Sequence, residues 1–256
     1  HRQMSPVLSA SGLGVSYGGV RALADVSLGV GGGELMGLIG PNGAGKTTFI
    51  DAITGFVPSA GSVALDGQEI SRLSLDARAR RGLRRTWQAA ELFDDLTVAE
   101  NVAVALPTPA WRQSVRESLR GGHAPSPRVR ETLELLGLWR FADRWPDDLS
   151  HGQRKLVGVA RALAPAPRIL CLDEPAAGLD TDESAELGAH LRAIADAGTA
   201  ILLVDHDMDL VLSICDRVHV LEFGQTIAEG TCDEIRRNAR VVAAYLGSTR
   251  PSGVSG

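Results

Sequence analysis

The sequence predicts an α/β fold: a mostly parallel sheet with an antiparallel β edge and an inserted helical subdomain. Short continuous apolar runs alternate with segments of helical spacing, the order of a parallel α/β core. A stretch near the start alternates small apolar and polar residues between Gly-rich turns. A long central stretch carries helix-like spacing alone.

In chain order, Val7 to about Val30 reads as antiparallel strands at the edge, and Leu35-Met36-Gly37-Leu38-Ile39 as a buried strand. Phe49-Ile50-Asp51-Ala52-Ile53 reads as the first turns of a helix, and residues 62–67 as a strand ending in a turn. From Thr97 to Ala164 the spacing is helical, with one flexible break at Gly121-Gly122 and Pro125-Ser126-Pro127. Residues 168–173 form an apolar strand ending in acid, 183–197 a helix, and 199–204 another buried strand. Residues 218–230 read as a closing hairpin through Phe223-Gly224. In such a sheet ligands sit at the carboxyl ends of the strands, where Lys46, Asp173 and His206 all fall.

Between the strand at 35–39 and its helix lies Gly40-Pro41-Asn42-Gly43-Ala44-Gly45-Lys46-Thr47-Thr48, a phosphate-binding loop in the context that pattern requires. Its glycines let backbone N–H groups curl around phosphate oxygens, and the helix start adds its positive dipole end. Lys46 brings a point charge to the outer phosphates, and Thr47 offers a hydroxyl to Mg²⁺. Of 26 basic residues only Lys46 and Lys155 are lysine. Lysine is thus kept where a compact ammonium fits and a guanidinium fork does not.

The 256 residues suit one large domain or a domain with an inserted subdomain, and 44% hydrophobic with 22% charged residues is ordinary for a globular protein with a sizeable core. A net charge of −5 gives no electrostatic footprint for nucleic acid. The arginine clusters at 78–81 and 84–85 read as solvated helix faces. Three cysteines without metal spacing suggest a reducing compartment and no disulfide framework. No apolar run is long enough for a membrane span, and no secretory signal is visible. His1-Arg2-Gln3 before Met4 is either an appended remnant or the edge of a longer chain, and 248–256 reads as a disordered tail.

Asp173-Glu174 closes an apolar strand. Asp173 suits the oxygen-seeking Mg²⁺ shell, and Glu174, one residue on, projects toward the terminal phosphate as general base to an attacking water.

These acids, Pro175 with the loop 176–180, and Leu149-Ser150-His151-Gly152-Gln153 together resemble the nucleotide-binding subunit of an ABC (ATP-binding cassette) transporter. The resemblance runs from about Leu8 to Gly247. It implies an ATPase domain at 5–247, with a core at about 5–88 and 165–247 and a helical insertion at about 89–164. It implies ATP and Mg²⁺ as cofactors. Asn42, Gly43, Ala44, Gly45, Lys46, Thr47 and Thr48 would cradle the phosphates, and Thr47, Gln88 and Asp173 would serve the metal. Tyr17 would stack on the adenine. Gln88 would also orient water, and His206 would contact the γ-phosphate. Ser150, Gly152 and Gln153 would serve a nucleotide held by a partner subunit, and Asp180 would also bind nucleotide. His151 departs from the family's usual glycine.

Arg85-Thr86-Trp87-Gln88, Glu174-Pro175-Ala176-Ala177-Gly178-Leu179, Asp205-His206-Asp207-Met208, Cys215-Asp216-Arg217 and Val242-Ala243-Ala244-Tyr245-Leu246-Gly247 resemble prokaryotic importers of branched-chain amino acids. Urea and other amide importers share much of the pattern. Trp87, Asp180 and a short insertion are departures. The resemblance implies transmembrane permease subunits, a second ATP-binding subunit (identical or different) and, indirectly, a solute-binding protein as partners, with no nucleic acid. It places the chain peripherally at the cytoplasmic face of the membrane. The rival readings are a soluble cassette protein acting on nucleic acid or ribosomes, and a P-loop kinase or GTPase.

Overall fold

The computed structural model describes residues 6–86, 92–107 and 126–246. The expectations for residues 1–3, Gln88, the Gly121-Gly122 break and the 248–256 tail lie outside them.

Strands β1 (Leu8–Tyr17), β2 (Val20–Val30), β4 (Ala60–Leu65) and β5 (Gln68–Glu69) form an antiparallel sheet in the order β2-β1-β4-β5. The expected antiparallel part is thus a sheet of its own. The main sheet orders β10 (Gln225–Gly230), β9 (Arg217–Glu222), β3 (Leu35–Ile39), β8 (Ala200–Val204), β7 (Ile169–Asp173) and β6 (Leu83–Arg85). All its pairings are parallel except β10 with β9.

Side chains alternate across the strands of the main sheet. Leu35, Ile39, Leu170, Leu172, Ile201, Leu203, Val218 and Val220 join one core, which also takes in the helical segment between β6 and β7. Met36, Leu38, Ile169, Cys171, Ala200, Leu202, Val204 and Leu221 join a second core with α1 (Lys46–Thr54) and the antiparallel sheet. A sheet covered on both faces needs apolar residues at every position, which is why its strands read as continuous apolar runs.

The central segment supplies α3 (Val98–Ala103), α4 (Pro127–Leu135) and α5 (His151–Leu163). Helix α5 begins at His151, because Ser150 caps it. The helix expected at 183–197 runs from Thr181 to Asp196 as α6, capped by Asp180. The described residues also form the short helices α2 (Leu75–Arg80), α7 (Met208–Ile214), α8 (Cys232–Arg237) and α9 (Ala239–Leu246).

The arginine clusters are a solvated helix face only in part: Arg80 and Arg81 are exposed at the end of α2. Arg78 is buried, and its guanidinium donates to the carbonyls of Ala52 and Ile53 at the end of α1 and to those of Ser71 and Leu73. Arg84 and Arg85 lie on strand β6, and the half-buried Arg85 pairs with Asp51 and Asp173. Carbonyls at a helix end and carboxylates at a strand end draw these cations inward.

Candidate functional site

Register brings the strand ends level. Leu38 and Asp173 both pair with Val204, and Ile39 pairs with Val220. The residues that follow, Gly40, Glu174 and Asp205, therefore emerge along one edge of the sheet. The sequence separates them widely, and only parallel pairing brings them together.

The loop after β3 is shaped by close backbone approach. A Cβ on Gly40 would lie 2.2 Å from the Leu221 carbonyl oxygen. Gly45, at φ 101°, would place one 2.8 Å from that of Ala22. Side chains of Ser, Thr or Asp cap α2 to α8, whereas Gly45 offers α1 none. The first N–H groups of α1 are left for an external acceptor, as an anion site requires. Lys46 is buried, with Nζ 2.7 Å from Gly40 O and 3.2 Å from Pro41 O. Burial pulls its pKa below the ordinary lysine value, opposed by Glu174, Asp173 and Asp205. Lys155 on α5, also lowered by burial, feels Asp205 and Glu174 as well. The chain's two lysines thus share the field of the same acids.

Asp173 is buried, and desolvation raises its pKa, while Arg85 at 3.7 Å and the Thr47 hydroxyl oppose the rise. Its Oδ1 has no hydrogen-bond partner among the described residues. A buried carboxylate oxygen without a donor, beside a threonine hydroxyl, is what a hard dication would complete. Thr47 and Asp173 therefore fit Mg²⁺.

Glu174 takes φ 49°, held by N–H donation to Val204 O at 2.7 Å. Its Oε2 lies 4.0 Å from His206 Nδ1. Asp205, fully buried, accepts from the N–H groups of Ala176, His206 and Asp207 at 3.2, 2.8 and 3.0 Å. It ties the loop after Glu174 to the loop carrying His206. Sequence reasoning quoted Asp205 without giving it a role. An acid directly after a buried strand was the signal.

The structure thus gathers Lys46, Thr47, Asp173, Glu174 and His206 at one edge. Tyr17 ends β1 opposite Val20, half exposed. Ser150, Gly152 and Gln153 lie at the start of α5, where their hydrogen bonds run to one another and to Glu183. Ser150 Oγ accepts from Gln153 N at 3.2 Å, and Gln153 Oε1 accepts from Ser150 N at 3.0 Å. Glu183 Oε1, unnoticed in the sequence, lies 3.4 Å from Ser150 Oγ and 3.3 Å from Gly152 N. Asp180 accepts from Glu183 N at 2.8 Å. His151 lies over Gly178, whose added Cβ would be 3.4 Å from Nε2.

The ABC transporter family profile matches residues 23–177, and that of the branched-chain amino acid ATP-binding cassette transporter matches 225–250. The chain is 39% identical over 257 residues to the high-affinity branched-chain amino acid transport ATP-binding protein BraF of Pseudomonas aeruginosa, covering 94% of this chain and 98% of that one. LivG of Escherichia coli, of the same description, gives the same identity and coverage. The lipopolysaccharide export system ATP-binding protein LptB of E. coli is 37% identical, with 94% and 97% covered. Among solved structures, an ATP-binding cassette of an ABC transporter in its ADP conformation superposes with a TM-score of 0.83 at 30% identity, covering 95% of this chain and 100% of that one. A nucleotide-free cassette gives 0.81 at 29%, with 94% and 98% covered.

Proposed function

The chain belongs to the ATP-hydrolysing subunits of ABC transporters, and from that premise we propose that it powers an importer of branched-chain or other amino acids. The C-terminal match over 225–250 carries the amino-acid reading, because relatives of an exporter share the rest of the cassette to a similar degree. Its working partners are membrane permease subunits, a second cassette and, through the permease, a solute-binding protein. Among the described residues no helix is long and apolar enough to cross a membrane. Attachment at the cytoplasmic face through the permease fits that chain.

The proposed mechanism uses the edge cluster. Backbone N–H groups of the loop at 40–47 and the Lys46 ammonium hold the phosphates. Lys46 exchanges its own loop carbonyls for phosphate oxygens. Thr47 and Asp173 would hold Mg²⁺, which neutralises phosphate charge when bound. Glu174 takes the proton of the attacking water, and His206 beside it faces the terminal phosphate. Gln88 would orient the water between them. Ser150, Gly152 and Gln153, with Asp180, serve the nucleotide of the second cassette. Tyr17 carries the adenine.

The test is reconstitution with the permease in vesicles. Binding protein loaded with a branched-chain amino acid should stimulate ATP hydrolysis and uptake. Glu174→Gln should bind ATP normally and turn over about 10²–10⁴-fold more slowly. Stimulation by none of the amino-acid-loaded binding proteins would refute the importer reading.

A further inference from the structure

Strand β9 turns into β10 through Phe223 and Gly224, both in the left-handed region at φ 46° and 72°. Two successive positive φ values mark the tight hairpin turn that favours Asn or Asp followed by Gly. A side chain with a β-carbon is disfavoured at the first position, and Phe gains none of the local hydrogen bonds of Asn or Asp. Packing does not compensate. Phe223 is 85% exposed, the most exposed large hydrophobic side chain among the described residues.

This turn is clamped to the nucleotide loop. Gly224 N–H donates to Ala44 O at 2.9 Å, and Gly224 O accepts from Ala24 N at 2.8 Å. A Cβ on Gly224 would lie 2.4 Å from Ala22 O, so only glycine lets the turn approach β2 this closely. The ring is rooted one residue from a direct bond to the phosphate loop.

Sheet order gives the direction in which a nucleotide must lie. Glu174 follows β7 and His206 follows β8, the neighbours of β3 on one side. The terminal phosphate faces them. The nucleoside therefore leaves the loop toward the other neighbour of β3, which is β9, the strand that ends at Phe223. On that side β2 runs from Ala24 and Ala22 back to Val20, which pairs with Tyr17. Val20 is 71% exposed and Tyr17 49%.

We propose that Phe223 is a second aromatic contact for the nucleoside of bound ATP, forming an apolar wall with Tyr17 and Val20. The inference rests on the loop at 40–47 being the ATP site. An aromatic wall reads the π face of a base and not its hydrogen-bonding edge, so ATP and GTP gain alike from it.

The experiment titrates the full chain with Mg²⁺ and ATP, GTP or inorganic tripolyphosphate, which presents the phosphates without a nucleoside. Phe223→Ala should weaken ATP and GTP by about five- to tenfold and leave tripolyphosphate unchanged. Phe223→Asn should weaken both nucleotides equally while raising the unfolding midpoint, because Asn suits the turn. That pairing of lost affinity with gained stability separates a ligand contact from a structural role. Unchanged ATP affinity in both variants would overturn the proposal, as would equal weakening of ATP and tripolyphosphate. A parent chain that bound neither ATP nor tripolyphosphate would instead refute the site itself.

Discussion

The Glu183 carboxylate reaches across the start of α5, with Oε1 3.3 Å from the Gly152 N–H nitrogen. The same oxygen lies 3.4 Å from Ser150 Oγ. An anion of this chain thus engages the two donors proposed for the partner's γ-phosphate. A helix start accepts one anion readily, but two would repel one another there.

Glu183→Gln should therefore favour assembly. In a Glu174→Gln background, which stalls hydrolysis, removing the charge should tighten ATP-driven pairing by up to about tenfold, or 1.4 kcal/mol. Sedimentation at a series of protein concentrations reads the change. An unaltered dimer constant would mean that Glu183 swings clear without cost.

Asp173 sets function against stability. Burial raises its pKa in the folded chain above the unfolded value. The penalty is absent below the unfolded pKa, grows between the two pKa values and is complete above the folded one. Asp173→Asn should accordingly raise the thermal midpoint of the nucleotide-free protein at neutral pH, and the gain should fade in acid. ATP hydrolysis should fall at least about 10²-fold, since an amide lacks the negative charge with which the carboxylate would balance a divalent cation. A lower midpoint at neutral pH would show that the Arg85 pairing outweighs desolvation.

The strands of the core and the acids that end them were legible because a doubly covered sheet writes apolar runs that stop abruptly. The phosphate loop was legible because its chemistry fixes residue types at fixed spacing. Side-chain partners brought together by folding were not. Arg85 reads as one of a basic pair, yet its carboxylates are 34 residues away on α1 and at the end of β7. Glu183 shows in sequence only as the third residue past Asp180, a capping box. Its reach to Gly152 follows from the packing of α5 against α6. The helices Met208–Ile214 and Cys232–Arg237 span too few turns for a 3.6-residue period to emerge.

Arg78 supplies the clearest stability prediction. Its guanidinium donates to four buried or half-buried carbonyls, including two that end α1. Arg78→Ala would strand several of them and open a void, costing about 3 kcal/mol in urea unfolding. Nucleotide affinity should change little, because the loop lies at the opposite end of α1. A loss below about 0.5 kcal/mol, the scale of an ordinary surface substitution, would show that water replaces the guanidinium.

The division of labour between two cassettes has a sharper test than the variants taken singly. Ser150 Oγ bonds within its own chain to Gln153 and Glu183, while Lys46 Nζ bonds to Gly40 and Pro41. No hydrogen bond joins Ser150 to the loop at 40–47 among the described residues. If each ATP needs the loop of one chain and the Ser150 segment of the other, Lys46→Ala and Gly152→Asp damage opposite halves of the same composite site. Each variant alone should be inactive, because every site in its dimer lacks one half. Mixed in equal amounts, they pair at random, and each mixed dimer regains one site with both halves intact. Hydrolysis should then recover to about a quarter of the parent rate, given two equivalent sites in a two-fold dimer. Were each ATP handled within one chain, every site in the mixture would still carry a lesion, and the mixture would remain as inactive as its parts.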